Sequence, residues 1–294
     1  MAEVSGRGSE PRGPEPVERD SRGILDPWLL RQRVQLTRYA AGVALDGLVD
    51  WFWAVRWHLP AGHSHRQQVL THPGANISVG HANAQPGQPE PGPVEARLNG
   101  VARTMTSRLL VGSGWAVAAL TRPGGLGAFL AGPAAAFTDQ VVPLGRAISV
   151  REAALVDQIT AEPDEAARVG LLAAALERAV NPERAGPARQ VAGAARLAEA
   201  NRAVRRLGDL SELTGLGPRT LQRMFLQYAG VSPMWVIRRY RLLDAAESVQ
   251  AGTPVSWAEV AAELGYADQA HLTRDFRAAI GQTPAGYASA QPRH

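Results

Sequence analysis

Cysteine is absent from the 294-residue chain, which excludes disulfides, cysteine-ligated metals and thiol catalysis. Lysine is absent too, since all 31 residues of the Lys+Arg count are arginine. With abundant Ala, Gly and Pro, that choice fits GC-rich coding and is a weak guide to function. No apolar run reaches the roughly 18 residues that a membrane helix needs, and the N-terminus lacks the charged-then-apolar pattern of a signal peptide. The expected location is therefore cytoplasmic. Acidic residues number 27, leaving a net charge of +4. Residues 201–294 hold eleven Arg against eight acids, so most of the excess lies in one third of the chain, and residues 219–243 carry five Arg and no acid. Local positive charge of this kind favours phosphate contact and salt-sensitive binding.

One pattern occurs twice, 51 positions apart: Leu221-x-Arg223-x-Phe225-x4-Gly230-x-Ser232-Pro233 and Leu272-x-Arg274-x-Phe276-x4-Gly281-x-Thr283-Pro284. Backward extension pairs Glu212-Leu213 with Glu263-Leu264, so each copy reads as helix, turn, second helix and stop. In the first copy Asp209 is placed to cap a short helix with Glu212 as its capping-box partner. Gly215-Leu216-Gly217 breaks that helix and Pro218 opens the next. Leu221, Phe225 and Tyr228 form the apolar stripe, which leaves Arg219, Gln222, Arg223 and Leu226 on another face. In the second copy Ser256 and Glu259 form a capping box, Gly265 ends the short helix and Asp268 caps the next. Leu272 and Phe276 pack inward, and Gln269, Ala270, Thr273 and Arg274 are presented together.

Arg and Gln make bidentate bonds to guanine and adenine in the major groove, while Ala and the Thr methyl suit a thymine methyl. A helix predicted from Pro233 to about Gln250 joins the copies and spans about 30 Å, close to the ~34 Å between major-groove faces on one side of B-DNA. Each residue has a plainer reading. Arg223 and Arg274 can pair with Glu212 and Glu263, Gln269 can be a solvated helix start, His271 can fill a gap, and Arg241, among apolar residues, reads as structural.

Residues from about 190 to 290 resemble the DNA-binding domain of the AraC/XylS family of bacterial transcription regulators. The carriers are Leu221-Gln222-Arg223-Met224-Phe225, Gly230-x-Ser232-Pro233, Arg241-Leu242-x2-Ala245, and Gly265-Tyr266-x5-Leu272-x-Arg274-x-Phe276 with Gly281-x-Thr283-Pro284. The resemblance implies seven helices, two of them recognition helices, with Arg219, Gln222 and Arg223 facing bases from the first and Gln269, Ala270, Thr273 and Arg274 from the second. Gly217 stands where the family often has a capping Ser. Double-stranded DNA is the implied partner, and RNA polymerase, a small-molecule effector and a second copy of the chain are admitted. Alkyl-transfer repair proteins carry a similar domain but need an acceptor thiolate, which this chain lacks.

The length allows two domains. Residues 1–22 mix Pro, Gly, Ser, Arg and Glu and are expected to be disordered. Residues 23–150 read as β-rich: Trp51, Trp53, Val55 and Trp57 alternate with Phe52, Ala54 and Arg56, a strand buried on both faces. Further strands are expected over 76–79, 108–112 and 115–120, and a short helix over 133–140. This part resembles a domain of unassigned function that precedes the same DNA-binding module in many regulators. The carriers are the Trp51-x-Trp53-x-Val55-x-Trp57 strand, Leu70-x-His72-Pro73-x2-Asn76 and Thr121-Arg122-Pro123-Gly124-Gly125-Leu126-x-Ala128-Phe129. Residues 151–187 read as a connector of two helices, about 151–159 and 164–180. The stripe Val169, Leu172, Leu176 and Val180 suits a connector or dimer surface, and a hinge is expected over 182–187 before the DNA-binding part, 188–294.

The expected fold class is thus α+β: a β-rich first domain, a helical connector and an all-α domain with two helix-turn-helix units joined by a long helix. The first domain gives no enzyme signature. His58, His63, His65, His72 and His81 are five of the seven histidines, and His63-x-His65 would put two imidazoles on one face of a strand. Ala61, Gly62 and Ser64 instead suggest a flexible loop, and Arg66 would repel a cation, so no metal or cofactor is expected. Gly112-x-Gly114 is too short to cradle phosphate, and Gly124-Gly125-x-Gly127 reads as a turn. The leading reading is a sequence-specific transcription regulator whose first domain senses a small molecule or partner. The alternatives are a ligand-independent regulator whose first domain only dimerises, and a DNA-tethered metal-dependent enzyme.

Overall fold

The computed structural model describes residues 34–69, 72–250 and 255–290; the tail at 1–22 lies outside them. Its N-terminal half is a six-stranded antiparallel sheet in the order β1-β2-β7-β4-β5-β8 with a separate two-stranded sheet, β3-β6. The strands are β1 (Val34–Ala40), β2 (Val49–His58), β3 (Ser64–Val69), β4 (Asn76–His81), β5 (Val94–Asn99), β6 (Thr106–Val111), β7 (Ser113–Thr121) and β8 (Val141–Pro143). The expected Trp-rich strand is β2. Phe52 and Ala54 point into the main core, while Trp51, Trp53 and Val55 are half-buried on the other face.

Helices α1 (Glu152–Ala161), α2 (Glu165–Ala179) and α3 (Pro182–Ala200) follow the sheet. Asp164 caps α2 by accepting from the Ala167 N–H at 2.8 Å, as its residue type favours. The stripe Val169, Leu172 and Leu176 is fully buried in the same apolar cluster as Phe52, Ile77, Val117 and Leu98. That burial corrects the dimer-surface expectation: the stripe covers this chain's own sheet. The hinge expectation is corrected as well. Residues 182–187 are the first turns of α3, with Asn181 as its cap and Pro182 in the first turn, where its missing N–H costs nothing. The buried face of α3 is built from Ala185, Ala188, Ala192, Ala195 and Ala198, small enough to let the Gly125–Ala128 3-10 turn approach closely. Gly124 there has φ +93°, and a Cβ on it would lie 2.6 Å from Val191 Cγ1.

Three local readings change. The segment holding His63 and His65 is not all loop, because β3 begins at Ser64 and buries His65 against β6. The short helix expected over 133–140 is a 3-10 turn at Ala134–Phe137. Strands β1, β3, β5 and β8 have polar or broken patterns that the sequence reading did not pick out.

The C-terminal half is all helical: α4 (Leu207–Thr214), α5 (Pro218–Tyr228), α6 (Pro233–Gln250), α7 (Trp257–Glu263), α8 (Gln269–Ile280) and α9 (Pro284–Ala290). Its apolar interior is divided. Leu210, Leu221, Phe225, Val236, Ile237 and Tyr240 belong to the cluster that contains the sheet core. Leu242, Ala246, Leu264, Leu272, Phe276 and Ile280 form a second cluster with Tyr287. The long helix α6 thus contributes its first half to one core and its second half to the other. No helix among the described residues is long and apolar enough to cross a membrane.

Candidate nucleic-acid interface

Helices α4 and α5 form the first helix-turn-helix unit. Asp209 works from the third position of α4 rather than as its N-cap: its carboxylate accepts from the backbone N–H groups of Arg205 at 2.9 Å and Arg206 at 2.8 Å. These donors, Arg205 first, hold its pKa below the usual carboxylate value against the opposing effect of burial. Gly215 turns the chain with φ +68°, a conformation that a side chain would strain. Ser211 ties the turn by donating to the Leu216 carbonyl at 2.6 Å. Gly217 precedes α5 without a side-chain cap bond, and Pro218 takes the first turn.

Leu221 and Phe225 are fully buried. Arg219, Gln222, Arg223 and Leu226, spaced i, i+3, i+4 and i+7, are all exposed on one face of α5. In the second unit, Ser256 caps α7 and Asp268 caps α8, accepting from the His271 N–H at 2.6 Å. Leu272 and Phe276 are buried, the latter against Trp257 with ring centroids 4.8 Å apart. Gln269, Ala270 and Arg274 are exposed and Thr273 is half-buried. The Thr273 hydroxyl donates to the Gln269 carbonyl at 2.8 Å, so its methyl is the group left to offer outward. Arg277, exposed one turn beyond Arg274, extends this face and occupies the place of Leu226 in the repeat. Sequence reading passed over Arg277, although the offset between the copies marks it. His271 sits edge-on to Tyr266 at 5.0 Å, as a gap-filler would.

The basic run over 219–243 divides into two kinds of arginine. Among the described residues Arg219 and Arg223 have no hydrogen-bond or ion-pair partner and lie exposed on α5, whereas Arg238, Arg239 and Arg241 are structural. Arg238 donates to the carbonyls of Leu264 and Gly265 at 3.4 and 3.3 Å and stacks on Tyr266. Arg241 donates to the carbonyls of Ala198 and Glu199 at 2.5 and 3.1 Å, closing the C-terminal end of α3. Among the described residues neither Arg223 nor Arg274 forms an ion pair. Glu263 is engaged instead by Arg205 at 3.2 Å, a bridge between the two units.

The N-terminal domain holds both units. At the first, the Thr138 hydroxyl donates to the Gly230 carbonyl at 2.7 Å. Arg184 donates to the carbonyls of Gly127 and Gly132 at 2.7 and 3.0 Å and lies over the Tyr228 ring at 4.9 Å. At the second, the Met105 N–H donates to Ala278 near the end of α8 at 2.7 Å. Arg239, buried, donates to the Arg103 carbonyl at 2.8 Å, and burial lowers its pKa to about 10.

The histidines of the first domain lie apart. His58 meets Ser113, His63 the Ala61 carbonyl, His65 Gln67 and His81 the Gly92 carbonyl, while His72 packs between Trp51 and Tyr240. Among the described residues no group of three or more His, Cys, Asp or Glu is arranged to hold a metal ion.

Comparison with known proteins places both halves. Residues 210–290 match the family described as "Helix-turn-helix domain", and residues 37–143 match "Domain of unknown function (DUF6597)". Two curated relatives, from Pectobacterium carotovorum and Pectobacterium atrosepticum, are both named "HTH-type transcriptional activator RhaS". Each is 34% identical over 77 residues, which is 26% of this chain and 27% of the relative's length. The C-terminal domain of AraT, a response regulator from Geobacillus stearothermophilus, aligns with a TM-score of 0.30 at 24% identity over 36% of this chain and 88% of that one. ToxT from Vibrio cholerae aligns with a TM-score of 0.40 at 8% identity over 82% of this chain and 99% of that one. Neither score is high enough to carry an inference about this chain. The repeated helix-turn-helix, its spacer and the two family matches all fit an AraC-family regulator, with a DUF6597 match ahead of the helix-turn-helix match.

Proposed function

We propose that the chain is a sequence-specific, non-enzymatic transcription regulator whose helices α5 and α8 enter major grooves of promoter DNA. One observation carries this reading. Each helix buries one face completely and leaves the opposite face to groups suited to base edges, Arg219, Gln222 and Arg223 on one and Gln269, Ala270, Thr273 and Arg274 on the other. Helix α6, about 27 Å long at ~1.5 Å per residue, separates the two. The reading takes residues 23–150 as the sensor, 151–187 as the connector and 188–294 as the DNA-binding part, with α3 running across the last boundary. Activation is the role printed in the names of the Pectobacterium relatives, and it is the direction proposed here, acting on RNA polymerase in the cytoplasm.

The sensor role draws on the contacts at Gly230, Ala278 and Arg239, through which a change in the first domain would reach both units. The ligand-independent dimeric alternative loses its argued surface, because the connector stripe is buried inside the chain. The metal-enzyme alternative loses its argued cluster, because the histidines are dispersed.

The test is selection of DNA sites with the full chain, followed by Arg223→Ala and Arg274→Ala. Loss of one bidentate contact costs about 1 to 3 kcal/mol and relaxes preference at one base position. The two substitutions should act on different half-sites about 10 bp apart. Affinity that falls equally on all sequences would make these arginines phosphate contacts, and a folded chain with no sequence preference would remove the reading altogether.

A further inference from the structure

The two helix-turn-helix units share no apolar core, since Leu221 and Phe225 belong to one cluster and Leu272 and Phe276 to another. The angle between α5 and α8 therefore rests on α6 and on directed polar contacts. The Arg205–Glu263 bridge is exposed on both sides and contributes little. Two firmer contacts come from residues 100–105, which join β5 to β6. The Arg103 carbonyl accepts from the buried Arg239 guanidinium of α6 at 2.8 Å, and the Met105 N–H donates to the Ala278 carbonyl of α8 at 2.7 Å. Met105 also fills the space beside Gly281, where a Cβ would stand 2.5 Å from its Cε.

Asp139 holds this segment in place. Its N–H donates to the Val101 carbonyl at 2.9 Å, Oδ1 accepts from the Arg103 N–H at 2.7 Å, and Oδ2 accepts from Arg103 Nε at 2.6 Å. The Arg103 side chain is 60% exposed, so the ion pair by itself contributes little. What the carboxylate adds is direction: gripping one residue at both its backbone and its side chain, it fixes where the Arg103 carbonyl points. Asp139 makes these bonds from φ +60°, and no other non-glycine residue among the described residues has a positive φ. A side chain is strained there and keeps that conformation only where its surroundings impose it. The preceding residue, Thr138, donates to the Gly230 carbonyl just beyond α5 at 2.7 Å. Two adjacent residues thus reach the first unit directly and the second through Arg103.

We propose that Asp139 is a positioning residue for the second helix-turn-helix unit, acting through Arg103 and Met105 to fix the angle between α5 and α8 and hence the half-site spacing that the chain accepts. The consequence for DNA rests on the two-groove reading above; the positioning itself does not. One base pair more or less between half-sites turns the second groove by about 34 degrees and moves it by about 3.4 Å. A second unit fixed at one angle rejects that change. A unit hinged on α6 alone follows it.

The experiment uses the full chain and compares Asp139→Gly with Asp139→Asn. Gly adopts φ +60° without strain, so the fold is kept while the carboxylate is removed; Asn tolerates the same conformation and keeps an oxygen for the Arg103 N–H. The chain has no cysteine, so Glu212→Cys and Ala262→Cys, both exposed, attach one nitroxide to each unit. Without DNA, the distance between the labels should be narrowly distributed in the parent, clearly broader in Asp139→Gly and close to the parent in Asp139→Asn. On unlabelled protein, moving the half-sites by one base pair from the best spacing should weaken binding about tenfold in the parent and about threefold or less in Asp139→Gly, with affinity for a single half-site equal in both. An unchanged distance distribution in Asp139→Gly would overturn the proposal, and a lowered thermal midpoint beside it would make Asp139 structural only. Broader distances with the same spacing preference would overturn it too, because α6 would then set the spacing on DNA. A parent without sequence preference would remove the regulator reading instead, and the distances would still decide the positioning.

Discussion

Replacing Arg184 with alanine should unlock the first helix-turn-helix unit from the N-terminal domain. The side chain donates to the Gly127 and Gly132 carbonyls at 2.7 and 3.0 Å and covers the Tyr228 ring, the last residue of α5. Charge-assisted bonds contribute about 1.5 to 3 kcal/mol each when buried, and a cation over an aromatic ring about 0.5 to 1 kcal/mol where partly exposed. Arg184 is half-buried, so each bond is discounted to about 0.75 to 1.5 kcal/mol, and with the ring contact the sum is about 2 to 4 kcal/mol. At about 2 to 4 °C per kcal/mol for a chain approaching this size, the thermal midpoint should fall by about 4 to 16 °C. Urea unfolding and amide exchange together read the effect. Exchange should quicken in Pro218–Tyr228 and in residues 124–132 but not in Gln269–Ile280, whose core is separate. Gly127→Ala attacks the same joint with Arg184 intact, because its Cβ would stand 2.7 Å from Tyr228 Cα and 2.5 Å from its Cδ1. Lys at 184 should recover part of the loss. Unchanged protection of α5 in both Arg184→Ala and Gly127→Ala would refute the docking argument.

Other outcomes follow from the same geometry. Arg241→Met should cost about 2 to 4 kcal/mol in urea unfolding, since it removes the guanidinium that donates to the carbonyls of Ala198 and Glu199; a change under about 1 kcal/mol would show that water replaces the guanidinium. Inserting two residues after Arg241, where α6 passes from the first core to the second, should turn the second unit by about 200 degrees and move it about 3 Å. Binding to a two-part site should then collapse towards single-unit affinity while circular dichroism keeps its helical signal; undiminished binding would show that the units do not engage DNA together. Asp209 has a folded pKa below its unfolded one, so its contribution is present at neutral pH and is lost as pH falls through the folded value. Asp209→Asn should remove that part of the acid sensitivity in urea unfolding followed against pH, and an identical pH profile in both proteins would count against the Arg205 and Arg206 N–H bonds as its source.

The sequence by itself determined the DNA-binding part closely. Helix starts at Pro218, Pro233, Ser256 and Asp268, stops at Gly215, Gly230, Gly265 and Gly281, and the buried positions Leu221, Phe225, Leu272 and Phe276 were all legible. Caps, left-handed glycines and a 3.6-residue apolar period are local signals, written within a few residues of the place where they act. The exposed faces were legible for the same reason, since they are what remains when the stripe is taken away. Tertiary structure decided what depends on distant partners. Arg219 and Arg238 read alike in the chain, but only the fold brings Leu264 and Gly265 to Arg238 and leaves Arg219 open. Pro182 and Pro187 looked like a hinge until Asn181 capped a helix whose alanine face is buried against Gly125–Ala128. Strands β5 and β8 are polar or short, and their pairing across long loops supplies the stability that their own residues do not announce.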